Sequence, residues 1–299
     1  MMAGAQEQLF FMNCMFPNLE SVSPVTPAAG YLGGKRNLAR PICSIIEQVE
    51  HDGYAEPCVG MGGIFFRRKK RPKGEYINDI SGDVTTLFRV VRRHYQAFVD
   101  ELEWMLASRD EFDRLKRVDP DTLTDIERAA RFLYLQRLRF GGVPRNKCFG
   151  VQTGTGARFN AAKLRIALQA IRDRLQPVVI ERLSYGDFIA RYDRPGMLFY
   201  IDPPYFGCER DYGRGIFSRA DFALMAAQLG GIAGKFLLSI NDTPQIRECF
   251  AGFPMMAVET SYSIATQATG RTKKAGELLI ANFPLDGAAG GALAVKARP

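Results

Sequence analysis

Short apolar runs alternate with amphipathic stretches near both ends of the chain, and a long middle segment breaks that rhythm. Runs at 54–59, 75–79, 178–184, 197–201 and 235–242 each read as a strand, being four to eight residues long and closed by Gly, Pro, Asn, Asp or Ser. Two further strands are expected around 256–262 and 277–283. Met197-Leu198-Phe199-Tyr200-Ile201 is apolar throughout, the pattern of a strand buried on both faces of a parallel sheet. Helical segments are expected after Asn37, for about fourteen residues, and over Ala220–Leu229. From about Val84 to Arg165 the strand pattern stops, and apolar positions at helical spacing appear in Phe98–Leu106 and Ala129–Leu138. The expected organisation is an N-terminal arm (1–26), an α/β domain in two pieces (27–90 and 166–285), a helical insert (91–165) and a disordered Ala/Gly-rich tail (286–299).

At 299 residues and 46% apolar composition the chain can bury a large core, so a globular α/β fold is feasible. The formal charge of +8 favours a polyanionic partner, and its distribution matters more than its size. Between Arg128 and Arg172 ten basic residues occur before the first acid, Asp173, with Phe132, Tyr134, Phe140, Phe149 and Phe159 interleaved. A one-sidedly basic helical insert with a glycine turn at its tip (Phe140-Gly141-Gly142-Val143-Pro144-Arg145) reads as a nucleic-acid lobe; a helical cap bearing solvated arginines is the alternative. The other basic run, Arg67–Lys73, reads as a solvated helix end or a phosphate contact.

Six scattered cysteines without a C-x-x-C pair, and only His51 and His94, argue against a metal site and against Ser-His or Cys-His catalysis. No apolar stretch reaches the ~18 residues a membrane span needs, and the N-terminus lacks a secretion pattern, so a cytoplasmic, membrane-free protein with reduced cysteines is expected.

The candidate chemistry lies where strands end. Asp202-Pro203-Pro204-Tyr205 follows the most apolar strand, at the edge where parallel sheets present their ligand crevice. Two prolines remove two backbone donors, leaving an aspartate, bare carbonyls and an aromatic face, a cup suited to a planar heterocycle bearing an amino group. Glu56-Pro57-Cys58-Val59-Gly60-Met61-Gly62-Gly63 is a strand-to-helix glycine loop. Phe65 stands where a dinucleotide fingerprint needs its third glycine, so a ligand without a pyrophosphate is favoured there. Asp79 closes the next strand, where an acid reaches ribose hydroxyls or caps the following helix. Gly207–Arg219 reads as a loop able to close over substrate.

These motifs, in this order, resemble the Dam family (D12 class) of adenine-N6 DNA methyltransferases. The resemblance runs from about Tyr31 to Phe283: Gly30–Lys35 resembles the N-terminal Gly-Gly-Lys motif, Glu56–Gly63 the cofactor loop, Asn78-Asp79 the ribose-binding acid, Ser184–Phe188 the adenine-binding segment and Asp202–Tyr205 the catalytic motif. Ser239–Asp242 and Arg271–Leu279 resemble later motifs.

The resemblance implies an α/β, Rossmann-like methyltransferase sheet of seven strands with an inserted helical DNA-recognition domain, acting as a monomer on double-stranded DNA without a metal. It implies S-adenosyl-L-methionine as cofactor, with Tyr31, Gly34, Lys35, Glu56, Pro57, Gly60, Gly62, Asp79, Asp187 and Asp202 as its contacts. Catalysis falls to Asp202, Pro203, Pro204 and Tyr205, and DNA contact to Arg137, Phe140, Arg145 and Arg158, with Arg145 reading a guanine. Three rival readings remain at this stage: methylation of cytosine N4 by the same cup, a nicotinamide oxidoreductase, and a non-catalytic DNA-binding protein with a methylase fold.

Overall fold

The computed structural model describes residues 19–31, 35–139, 149–150, 157–209, 215–262 and 273–285. Its strands are β1 (Glu20–Ser21), β2 (Gly53–Glu56), β3 (Lys70–Arg71), β4 (Gly74–Asn78), β5 (Val179–Glu181), β6 (Met197–Ile201), β7 (Lys235–Asn241), β8 (Met255–Tyr262) and β9 (Lys273–Ala281). Its α-helices are α1 (Ala39–Gln48), α2 (Gly82–Arg93), α3 (Tyr95–Glu103), α4 (Arg109–Arg117), α5 (Asp125–Leu138), α6 (Ala161–Leu175), α7 (Tyr185–Tyr192), α8 (Ala220–Leu229) and α9 (Pro244–Cys249). Helix α1 is ten residues long, shorter than the sequence pattern suggested.

Seven strands form one sheet in the order β5-β4-β2-β6-β7-β9-β8. The five from β5 to β7 are parallel, and β9 pairs antiparallel with both β7 and β8. The mixed seven-stranded sheet implied by the resemblance is therefore present. Strand β6 lies at its centre with parallel partners on both sides, and all five of its residues are buried. Two-residue periodicity divides those residues between two cores. Leu198 and Tyr200 join the cluster under α1, α2 and the helices that follow, whereas Met197, Phe199 and Ile201 join the cluster under α7, α8 and α9.

Among the described residues, the helices over 91–165 share the core of the sheet. Phe98, Leu102, Phe112, Leu133, Leu135 and Leu164 belong to the same cluster as Ile77, Leu198 and Leu237 of the sheet. Helix α5 starts from a capping box, in which Thr124 and Glu127 satisfy each other's backbone donors. Helix α6 runs across residue 165, the expected end of the insert.

Part of the N-terminal arm is anchored: Glu20 and Ser21 pair antiparallel with Arg71 and Lys70, and Val22 and Val25 donate to Lys69 and Phe66 carbonyls. One expectation is corrected, that of the basic run at Arg67–Lys73. Arg68 is not a solvated helix end but is 0% exposed, ion-paired to Glu75, which Arg174 also grips, with its guanidinium 3.5 Å from the centre of the Tyr54 ring. Flat, always-charged arginines tolerate burial when a carboxylate and an aromatic face receive them. Residues 1–18 and 286–299 lie outside the described residues.

Candidate active site

The parallel strands stop on one side of the sheet, and their ends enclose a cavity of about 1000 Å³. Strand β2 runs into the glycine loop. Gly60 and Gly62 adopt positive φ, +51° and +73°, a region costly for any side chain. The turn is closed by Gly62 N–H donating to the Val59 carbonyl and pinned to β4 by Val59 N–H donating to Asn78. Asp79 completes the join, its two carboxylate oxygens accepting from Gly60 N–H and Ser81 N–H, each at 2.9 Å. One acid thus fixes the loop to the start of α2.

Asn78, 1% exposed, does the same for the next strand end. Its amide donates to the Pro57 and Leu183 carbonyls at 2.8 and 3.0 Å and accepts from Leu183 N–H at 2.7 Å. The exits of β2 and β5, which do not pair, are held together through this side chain.

Asp202 follows β6 and lines the cavity with Glu56, Asp79 and Tyr31. Its carboxylate lies 3.1 Å from Lys35 Nζ. Lys35, 2% exposed, also meets both oxygens of Glu277 at 3.2 and 3.1 Å and donates to the Tyr205 hydroxyl at 2.6 Å. The Tyr205 hydroxyl donates in turn to Glu277. After the turn, Asn241 at the end of β7 accepts from Phe206 N–H and donates to its carbonyl, at 2.9 and 3.1 Å.

Burial dominates the electrostatics. It pushes the Asp202 carboxyl up to about 7, with nearby Lys35 opposing the rise and Glu277 adding to it. It pushes Glu56, which accepts a 2.6 Å hydrogen bond from Tyr54, up to about 8, and Asp79 up to about 6. A cavity with three carboxyls held back from ionising favours a ligand that brings positive charge.

The sequence pattern of the D12 class N6 adenine-specific DNA methyltransferases matches residues 31–264, from the start of this cavity to beyond β8. The chain belongs to this family. Similar proteins include the Type II methyltransferase M1.LlaDCHI of Lactococcus lactis subsp. cremoris, 25% identical over 91% of this chain and 99% of that protein. The Type II methyltransferase M.CviBI of Paramecium bursaria Chlorella virus NC1A is 23% identical over 79% of this chain and 90% of its own length.

As a family member, the chain is an adenine DNA methyltransferase, and its sequence-derived residues can be placed one by one. Tyr31, Lys35, Glu56, Pro57, Gly60, Asp79 and Asp202 all line the cavity, as does Pro204, with Gly62 closing the turn behind them. Pro203 is buried beside them. Asp187 is exposed and accepts from the Ser184 hydroxyl at 2.7 Å, while Ser184 caps α7 by accepting from Asp187 N–H at 3.1 Å, and Ser184, Tyr185 and Gly186 face the cavity. Gly34, Phe140 and Arg145 lie outside the described residues.

Arg137, expected to contact DNA, is half-buried. Its guanidinium makes three hydrogen bonds to main-chain carbonyls, one to Ala28 and two to Arg158, and so ties α5 to the segments before α1 and α6. Glu277 and Asn241 were not singled out by their own signals. Each stood inside a strand, and only the sheet brings them to the Asp202–Phe206 turn. Among the described residues no helix is long and apolar enough to cross a membrane, and no three His, Cys, Asp or Glu side chains cluster as a metal site would need.

Proposed function

We propose that this DNA methyltransferase uses S-adenosyl-L-methionine and methylates the N6 amine of an adenine flipped out of duplex DNA. The observation that carries the reading is Asp202, recessed at the end of the central strand on the wall of a 1000 Å³ cavity shared with the glycine loop and Asp79. That volume stands at the upper end for small-molecule sites, leaving room for a cofactor and a base together. The donor set fits the cofactor, because Glu56, Asp79 and Asp202 are incompletely ionised carboxyls whose charged forms its ammonium and sulfonium groups would favour. Asp79 would hold the ribose hydroxyls, the glycine loop and Tyr31 the body of the molecule, and Ser184–Gly186 the adenine edge, with Asp187 behind them. Bound there, the cofactor supplies a methyl group activated on sulfur.

The chain's own part is to prepare the amine. The exocyclic nitrogen of adenine is a poor nucleophile because its lone pair is delocalised into the ring. The Asp202 carboxylate and the Pro203 carbonyl would accept its two N–H bonds, drawing the nitrogen toward sp³ and turning its lone pair to the methyl group. Alignment and fixed dipoles then supply much of the rate. The amine is stacked and paired in a duplex, so the base must leave the helix to reach this wall, with Tyr205 and Pro204 beside it. The basic insert would hold the duplex, Arg158 as a backbone contact and Phe140 and Arg145 as the residues nearest the bases.

Incubation with bacterial DNA and cofactor labelled at the methyl group, followed by digestion to nucleosides, tests the proposal. Label in N6-methyladenine supports it. Label in N4-methylcytosine, or none in DNA, overturns it.

A further inference from the structure

Lys35 is enclosed by the chain and spends its three N–H donors on three partners: Asp202 at 3.1 Å, Glu277 at 3.1 Å and the Tyr205 hydroxyl at 2.6 Å. One ammonium therefore serves two carboxylates, Glu277 buried and Asp202 partly open to the cavity. A glutamate at 0% exposure is costly by desolvation unless it is paired, and Glu277 is held by Lys35 and the Tyr205 hydroxyl. Its register explains its position. In the β7–β9 ladder Glu277 stands directly opposite Asn241, the residue that grips the Phe206 backbone. A single rung of the sheet therefore holds the Asp202–Phe206 turn twice, by main chain at Phe206 and by side chain at Tyr205.

We propose that Glu277 is a positioning residue for methyl transfer: it draws part of the Lys35 charge away from Asp202, keeping Asp202 oxygens open to the target amine, and it fixes the Tyr205 ring through its hydroxyl. The proposal rests on the reading of Asp202 as the amine's acceptor. If Glu277 lost its charge, Lys35 would have Asp202 as its one carboxylate partner in this cluster. The lone pairs needed by the amine would then be committed to the ammonium, and the Tyr205 hydroxyl would lose an acceptor.

The groups that bear on Asp202 are Lys35 before α1, Glu277 on β9, Tyr205 in the same turn, Glu56 and Cys58 at the end of β2, and Tyr200 on β6. Lys35 favours the ionised form of Asp202 and Glu277 disfavours it. Removing the Glu277 charge therefore moves ionisation of Asp202 to lower pH.

The test compares Glu277→Gln with wild type in single-turnover methylation across pH. The variant should lose about 10²-fold in the rate of transfer, as a misplacement near the reacting atoms does. Its KM for cofactor should be little changed, and its acid limb should shift to lower pH. A merely structural glutamate would not move that limb. Tyr205→Phe, which leaves the buried acid in place, should lose about tenfold and remains informative should Glu277→Gln fail to fold. Wild-type rates in Tyr205→Phe, or a wild-type rate and unshifted limb in Glu277→Gln, overturn the proposal. Asp202→Asn is run alongside: if it turns over normally, the reading of Asp202 itself is wrong, whereas an inactive Asp202→Asn beside a normal Glu277→Gln removes only the role given to Glu277.

Discussion

Asn78→Ala is the substitution whose cost can be worked most directly from the structure. The native amide makes three hydrogen bonds, to the Pro57 carbonyl, the Leu183 carbonyl and the Leu183 N–H, at 2.8, 3.0 and 2.7 Å. Each is worth about 1 kcal/mol net, so their loss costs about 3 kcal/mol, and more where the orphaned main-chain groups stay dry. For a chain of this size that corresponds to a fall in Tm of roughly 5 °C. The damage is not confined to stability, because Pro57 and Leu183 both line the cavity and this side chain joins them. Cofactor affinity should fall along with the midpoint. Asn78→Asp keeps the acceptor for Leu183 N–H but turns a carboxylate toward two carbonyls, beside Asp79, and should be no better than alanine. Urea unfolding measures the first effect and calorimetric titration of cofactor the second. A loss below about 1 kcal/mol with unchanged cofactor affinity would refute the view that this amide holds the two strand ends.

Further expectations follow from the same geometry. Gly62→Ala should cost roughly 2–4 kcal/mol and impair cofactor binding, since φ is +73° and the new Cβ would strike the buried Phe66 ring; an unaltered unfolding midpoint would contradict this. Cofactor binding at pH 7 should release protons, because positive charge drives Glu56, Asp79 and Asp202 to ionise from values of about 8, 6 and 7; titration in buffers of different ionisation enthalpy measures it, and S-adenosylhomocysteine, lacking the sulfonium charge, should release fewer. The same three groups hold more protons folded than unfolded, so their contribution to stability is full below about pH 4 and is lost as pH rises to about 8; the unliganded protein should show it as a midpoint falling over that window, and a rising one would contradict it. Arg137→Ala should lower Tm while leaving the salt dependence of DNA binding nearly unchanged; a reduced salt slope at unchanged Tm would restore a phosphate role.

What the sequence disclosed depended on how local each signal was. Met197–Ile201 announced a doubly buried strand because five consecutive apolar residues have few other uses, and the aspartate after it had to lie at a sheet edge. Gly60, Gly62 and Asp79 were legible for a similar reason, since a strand, a glycine turn and an acid at the next strand end form one compact unit. Glu277 was not, because its partners Lys35 and Tyr205 are 242 and 72 residues away and only the antiparallel placement of β9 unites them. Arg68 misled for the opposite reason. In sequence it looks like a member of a basic run, yet it finds burial and an acceptor through contacts that no charge pattern encodes.

The central claim is that Asp202 accepts the target amine at the end of β6, and Asp202→Asn tests it most directly. Asparagine preserves the volume but removes one acceptor and the charge, so cofactor binding and fold should survive. A single-turnover assay with saturating cofactor and a duplex carrying the unmethylated target site should then show transfer of label to adenine N6 slowed by about 10²-fold or more, with calorimetry showing cofactor still bound. Transfer within a few-fold of wild type would contradict the account.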